Sequence, residues 1–181
     1  IKDMNNPSGV ALINVDENGE NCIVVAPGSN GTLSEHDIKE EVFVTDKTDM
    51  FLMQLEIPVE TVEFVAKKAS SGGNKVILNP APAQKLSEDL LSCLYLITPN
   101  ETEAEILTGI KVYDLATAEK AATELLKKGV QNVVITLGAS GAYMLTGTTS
   151  KLIAVVPVKA VDTTAAGDVF NGALTVAISE G

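Results

Sequence analysis

Pro58-Val-Glu-Thr-Val-Glu-Phe-Val-Ala-Lys-Lys-Ala-Ser-Ser-Gly-Gly-Asn-Lys-Val-Ile-Leu-Asn79 decides the class of fold. Proline suits a first helical turn, where its missing N–H is no loss. Val59, Val62, Val65, Ala66 and Ala69 then recur at steps of three and four, which draws one apolar helical stripe. Gly72-Gly73 ends that helix. Lys75-Val-Ile-Leu-Asn79 follows as a short apolar run, which reads as a buried strand. A helix that returns directly into a buried strand is half of a βαβ unit.

The same alternation extends both ways. Upstream, Asp49-Met-Phe-Leu-Met-Gln-Leu55 is a buried-strand candidate. Downstream come a strand at Leu94-Tyr-Leu-Ile97, a helix from Asn100 to near Gly109 and a helix from Thr117 to Lys128 that Gly129 stops. Asn132-Val-Val-Ile-Thr-Leu137 is another strand, and Ala142-Tyr-Met-Leu145 and Lys151 to Val158 follow, with Pro157 marking an edge or a strand end. The expected fold is α/β: a Rossmann-like, doubly wound, mainly parallel sheet flanked by helices. Residues 9–27 stand apart. Gly9-Val-Ala-Leu-Ile-Asn-Val15 and Cys22-Ile-Val-Val-Ala26 flank Asn18-Gly19, a hairpin signal. Ser34 is a candidate cap for a short helix. The expected division is residues 1–30 as part of a small β lid and residues 31–181 as the core.

Composition narrows the function. The chain has 181 residues, 45% of them apolar, and a net charge of −11. That charge argues against nucleic acid and anionic membranes as partners. No apolar run reaches the ~20 residues of a membrane helix, and no basic stretch opens a secretory signal. Cys22 and Cys93 lack metal spacing and fit a reducing cytoplasm. All 13 basic residues are lysines, so any bound phosphate must be held without arginine. Ile1 is not a natural start, and Ala173 to Ile178 reads as a buried helix with nothing downstream to cover it. The expectation is a piece of a longer protein.

In an open α/β sheet, ligands bind beyond the carboxyl ends of the strands. Three polar tails lie there: Asn79-Pro-Ala-Pro-Ala83, Thr98-Pro-Asn-Glu-Thr-Glu103 and Gly138-Ala-Ser-Gly141. A fourth segment, Asp162-Thr-Thr-Ala-Ala-Gly-Asp168, runs into the apolar helix Val-Phe-Asn-Gly-Ala-Leu174. Small side chains at Ala165, Ala166 and Gly167 let a ligand approach helix-start N–H groups, which suit a phosphate. Asp168 is ill placed to hold an anion and well placed to take a proton from a hydroxyl attacking one. The plainer alternative is an Asp-capped helix after a glycine turn. Asn100 and Glu103 likewise read as a capping box, or as phosphate and Mg²⁺ ligands if that helix end faces the site. No Gly-Lys-Ser/Thr and no GxGxxG occurs, so neither a Walker loop nor a nicotinamide site is indicated. His36 lies in a polar helix start and reads as solvated. With one histidine in the chain, nucleophile–histidine hydrolysis is not expected.

Taken together, Asp162 to Leu174, Asn79 to Ala83, Thr98-Pro-Asn-Glu-Thr-Glu-Ala-Glu105 and Val134-Ile-Thr-Leu to Gly141 resemble, in order and spacing, the ribokinase or PfkB-type carbohydrate kinase family. Ala165, where many members carry glycine, and Asn-Pro-Ala-Pro-Ala are most similar to the branch that acts on ribose. Val169 departs from the small or hydroxyl residue common after the base.

The resemblance implies ATP as co-substrate with Mg²⁺ and K⁺, and D-ribose converted to ribose 5-phosphate; fructose, a nucleoside or a deoxysugar is the alternative acceptor, and a non-catalytic nucleotide or sugar regulator the alternative class. It implies Asp168 as base and Ala165, Ala166, Gly167 and Asp168 as an anion hole. Asn100, Thr136, Leu137, Gly138, Ala139, Ser140, Gly141 and Gly167 would meet ATP. Glu56 and Asp168 would touch the sugar. Asp162 and the Thr164 carbonyl would hold K⁺, and Glu103 would hold Mg²⁺ through water. The lid implied at residues 9–27 also joins homodimers in this family. Residues upstream of Ile1 and after Gly181 would complete the sugar, adenine and cation sites, so the isolated chain is expected to be inactive.

Overall fold

Buried strands that alternate with amphipathic helices assemble into a sheet covered on both faces. The computed structural model describes residues 1–15, 21–44, 49–156, 158 and 163–181. Six strands form the main sheet: β3 (Met50–Met53), β4 (Lys75–Leu78), β5 (Leu96–Ile97), β6 (Asn132–Thr136), β7 (Ala142–Leu145) and β8 (Ser150–Ile153). They lie side by side in chain order. β3 to β6 run parallel, β7 pairs antiparallel with β6, and β8 pairs antiparallel with β7. The sheet is thus α/β and mixed, with a parallel half and a hairpin half. The Gly138–Gly141 turn makes the change of direction: Gly141 adopts φ 98°, and a Cβ there would lie 2.0 Å from the Ile153 carbonyl oxygen.

Side chains alternate across the sheet as the period of two requires. Val76, Leu78, Ile97, Val133, Ile135 and Tyr143 enter the larger core under α1 (Val59–Ser71), α2 (Glu88–Ser92), α3 (Glu101–Thr108) and α4 (Leu115–Lys127). Ile77, Leu96, Val134 and Ala142 face the other way, toward Phe170, Leu174 and Ile178 of α5 (Ala166–Glu180).

The helix ends follow local chemistry. In α1, Val62, Val65, Ala66 and Ala69 are buried, as their spacing predicts, and Gly72 caps the end. Asn100 and Glu103 close a capping box on α3, and Gly109 ends that helix at φ 75°. α4 begins two residues before the expected Thr117, because the Asp114 carboxylate accepts the Thr117 N–H at 2.8 Å. α2 was not foreseen; Ser87 caps it by accepting from the Leu90 N–H at 3.0 Å. β8 stops at Ile153, short of the expected Val158. Glu35–Asp37, after Ser34, is a single 3-10 turn. The run Ala173 to Ile178 is only partly buried: Leu174 and Ile178 pack on the sheet, and Ala173, Val176 and Ala177 are exposed.

β1 (Val10–Val15) and β2 (Asn21–Ala26) form a separate antiparallel sheet, in register from Val10 opposite Ala26 to Val15 opposite Asn21. The Asn18-Gly19 turn and Pro157 lie outside the described residues. Among the described residues no helix is long and apolar enough to cross a membrane.

Candidate active site

The carboxyl ends of β3, β4, β5 and β6 deliver Gln54, Asn79, Thr98 to Glu103 and Thr136 to one edge of the sheet, and the start of α5 lies across them. Three cavities ring that helix start. One of about 310 Å³ is lined by Leu52, Met53, Gln54, Asn79, Asp168 and Asn171. A second, of about 260 Å³, brings Glu56, Asn100, Glu103, Thr136, Thr164 and Ala165 to Asp168 together, with Ile23 of β2 also in its wall. A third, of about 530 Å³, continues past Gly138 and Gly141 to Ile153 and Val155, and shares Asn100, Thr136, Ala166, Gly167 and Phe170 with the second. Shared walls make them one cleft.

The turn into α5 is built on Ala165, which sits at φ 58° and ψ 15° in the left-handed region. A small side chain tolerates this where a branched one would not. The Ala166 N–H donates to the Thr163 carbonyl at 3.1 Å and the Val169 N–H to the Ala165 carbonyl at 3.0 Å. Gly167 and Asp168 occupy the first turn, where N–H groups lack an intrahelical acceptor and the helix dipole is positive. Asp168 is the third helical residue and makes no side-chain cap. The plainer alternative, an Asp-capped helix, does not describe this turn: Ala165 holds the cap position, and Asp168 accepts from the Gln54 amide at 2.6 Å.

Beneath the turn runs a chain of neutral polar groups. Asn171, 4% exposed, donates through Nδ2 to the Gly167 carbonyl at 2.8 Å. Its Oδ1 accepts from the Thr98 hydroxyl at 2.6 Å. The Thr98 carbonyl in turn accepts from Asn79 Nδ2 at 3.2 Å. The start of α5 is thereby tied to the ends of β4 and β5.

Glu103 both caps and faces the cleft. Its Oε2 accepts the Asn100 N–H at 2.8 Å, and its own N–H donates to Asn100 Oδ1 at 2.9 Å. Burial pushes its carboxyl above the usual carboxylate range, against the pull of the Asn100 N–H. The capping box is formed, and the same two residues line the second cavity. Asn100 also bridges to Thr136, whose N–H donates to the Pro99 carbonyl at 2.9 Å, which ties the α3 start to the end of β6.

Other expected residues are placed less closely. Leu137 packs against the core, and Ala139 and Ser140 are exposed in the turn and line none of the three cavities. Asp162 lies outside the described residues, while Thr164 lines the second cavity. Gln54, Asn79, Thr98, Phe170 and Asn171 line the cleft without having been chosen as site residues. A polar residue just after an apolar strand was the available signal for the first three. His36 is exposed, as expected. Among the lining residues, Glu56, Glu101, Glu103 and Asp168 are acidic and none is Lys or His.

Comparison with known proteins matches this cleft to a known scaffold. The chain is 49% identical over 173 residues to the ribokinase of Haemophilus influenzae, covering 96% of this chain and 56% of that protein. The ribokinase structure from Thermotoga maritima superposes with a TM-score of 0.85 at 43% identity, over 97% of this chain and 58% of that one. The Arabidopsis thaliana ribokinase complexed with ribose and ATP superposes with a TM-score of 0.85 at 31% identity, over 98% of this chain and 58% of that one. The chain thus spans a little over half the length of these relatives. The match to the family described as pfkB family carbohydrate kinase runs from residue 1 to residue 181. A cleft of this make-up on a scaffold matched over its whole length leaves one assignment: the chain belongs to the pfkB family of carbohydrate kinases.

Proposed function

We propose that the full-length protein, in which this segment is continued to the length of its relatives, is an ATP-dependent sugar kinase that converts D-ribose and ATP to ribose 5-phosphate and ADP. One observation carries the reading. Asp168 stands in the first turn of α5, and Glu56, Asn100, Glu103 and Thr136 line the same cavity. Similarity to the Haemophilus and Arabidopsis ribokinases supports ribose as acceptor.

In this reading Asp168 takes the proton of the sugar hydroxyl as the hydroxyl oxygen bonds to the γ-phosphorus. The bond from that phosphorus to the β–γ bridging oxygen breaks, and ADP leaves. The helix-start N–H groups from Ala165 to Asp168, of which that of Ala166 also donates to the Thr163 carbonyl, receive the charge on the transferred group. Asn100, Thr136, Leu137 and the turn Gly138, Ala139, Ser140 and Gly141 take the nucleotide side, and Glu56 takes the sugar side. Four carboxylates and no basic side chain line the cleft, so a triphosphate needs cations there. Mg²⁺ keeps several waters and needs only one or two carboxylates, a demand that Glu103 fits. Asp162 and the Thr164 carbonyl are the proposed K⁺ ligands. When bound, these cations neutralise phosphate charge.

The hairpin within residues 1–30 is proposed as part of a lid over the core of residues 31–181, and Ile23 in the cavity wall supports this. Val10, Leu12, Val15, Val24 and Val25 are exposed on that hairpin, which supports a homodimer joined through it. Both cysteines are free, in keeping with a cytoplasmic setting.

The test is ATP-dependent phosphorylation over a panel of pentoses, hexoses and nucleosides by the full-length protein, beside Asp168→Asn. Ribose should be the preferred acceptor. The variant should bind ATP and lose roughly 10²–10⁴-fold in turnover. A variant that phosphorylates ribose near the parent rate would refute the mechanism, and preference for another acceptor would refute the substrate.

A further inference from the structure

The Gln54 side chain is unexplained by the roles above. It follows β3, 114 residues before Asp168 in the chain, and its Nε2 donates to Asp168 Oδ1 at 2.6 Å. Both residues line two of the three cavities. A carboxylate only accepts, so the amide nitrogen must be the end that faces it. With Oδ1 taken, Oδ2 is the oxygen left for another partner.

We infer that Gln54 is a positioning residue for the Asp168 carboxylate: its amide fixes one oxygen so that the other is held toward the acceptor hydroxyl. This inference rests on Asp168 being the base. An aspartate on the first turn of an exposed helix start otherwise samples several rotamers, and proton abstraction needs one geometry. A neutral amide suits the task. Lysine there would pair with the carboxylate and compete with the hydroxyl for it, and glutamate would repel it. The bland alternative is a stitch between β3 and α5 that matters only to stability.

The experiment separates the two in the full-length kinase, with ATP and ribose as substrates. Gln54→Met keeps the length and removes the donor. It should lower kcat by roughly 10- to 100-fold, leave the KM for ATP unchanged and leave the melting temperature near that of the parent. Gln54→Glu keeps a polar side chain but puts an acceptor against the carboxylate, and should show the same kcat loss. Adding Gln54→Met to Asp168→Asn should cost nothing further, because a residue that acts through the carboxylate has no lever once it is gone. Two results overturn the inference and spare the base: parent-like kcat in Gln54→Met while Asp168→Asn is crippled, or the same fold-loss from Gln54→Met in both backgrounds. If Asp168→Asn itself turns over like the parent, the base assignment falls first and the inference with it.

Discussion

Replacing Asn171 with alanine tests how the site is held together. The side chain is 4% exposed and makes two hydrogen bonds, from Thr98 Oγ1 at 2.6 Å and to the Gly167 carbonyl at 2.8 Å. Each is worth about 1 kcal/mol net, and a buried polar group left without a partner costs about 1–3 kcal/mol. The two ends do not lose equally. Gly167 is exposed, so water replaces the lost donor. Thr98 is 1% exposed, and its remaining acceptor, the Leu78 carbonyl, is 3.5 Å away, at the limit of a hydrogen bond. The expected loss is therefore about 2–4 kcal/mol, most of it at Thr98. For a chain of this size each kcal/mol moves the melting temperature by about 2–4 °C. Urea unfolding of the purified chain, followed by circular dichroism, measures it. The decisive comparison adds Thr98→Val. That change removes the stranded hydroxyl, so the double variant should be more stable than the sum of the single losses by about 1 kcal/mol or more. Asn171→Ala within about 0.5 kcal/mol of the parent would show that the buried chain is not what docks α5, and strictly additive losses would show that Thr98 and Asn171 are not coupled.

Two further outcomes follow from single residues. Burial raises the Glu103 carboxyl in the folded state, so its favourable contribution is fully present below the ordinary carboxylate range and is lost as the pH rises through the raised value; Glu103→Gln, which can still accept from the Asn100 N–H, should match or exceed the parent in stability at neutral pH, lose that advantage in acid, and in the full-length kinase need more Mg²⁺ for half-maximal rate, whereas a variant less stable at neutral pH with an unchanged Mg²⁺ titration returns Glu103 to a cap alone. At Ala165, φ 58° is tolerated by alanine and forbidding to a branched side chain, so thermal unfolding should show Ala165→Gly within about 1 kcal/mol of the parent and Ala165→Val weaker by about 1–3 kcal/mol; equal stability of both would mean that this turn carries no strain.

What the sequence made legible was local. The α1 stripe, the α3 box of Asn100 and Glu103, and the stop at Gly109 each depend on residues within a few positions of one another, and each lies where its chemistry predicts. The polar tails of β4, β5 and β6 were readable because parallel strands put their carboxyl ends on one edge. The partnership of Gln54 with Asp168 was not readable. Nothing near either residue names the other; only the packing of α5 beside β3 joins them. Asn171 was hidden differently. It lies inside the stretch Asp162 to Leu174, which reads as one motif, and its partner Thr98 opens a polar tail whose chemistry points first to Asn100 and Glu103. α2 was passed over because five residues carry too little periodicity to stand out, although Ser87-Glu88-Asp89 has the composition of a cap and first turn.

The chemistry of the groups that hold the start of α5 carries its own argument. Gln54, Asn79, Thr98 and Asn171 are all neutral. A lysine or arginine in place of Gln54 would bind Asp168 more strongly, but it would also occupy the carboxylate that, in the proposed mechanism, receives a proton. It would fix a cation beside the helix start as well, where the sequence offers none and the incoming phosphates would then be held in the ground state and the transition state alike. Neutral donors fix geometry and leave charge to be supplied by the substrate and its cations. In the proposed mechanism two tasks are thus separate, placement by amides and hydroxyls and neutralisation by the helix end and by ions, and an acidic cleft in a chain without arginine would meet a triphosphate with no fixed cation among its lining residues.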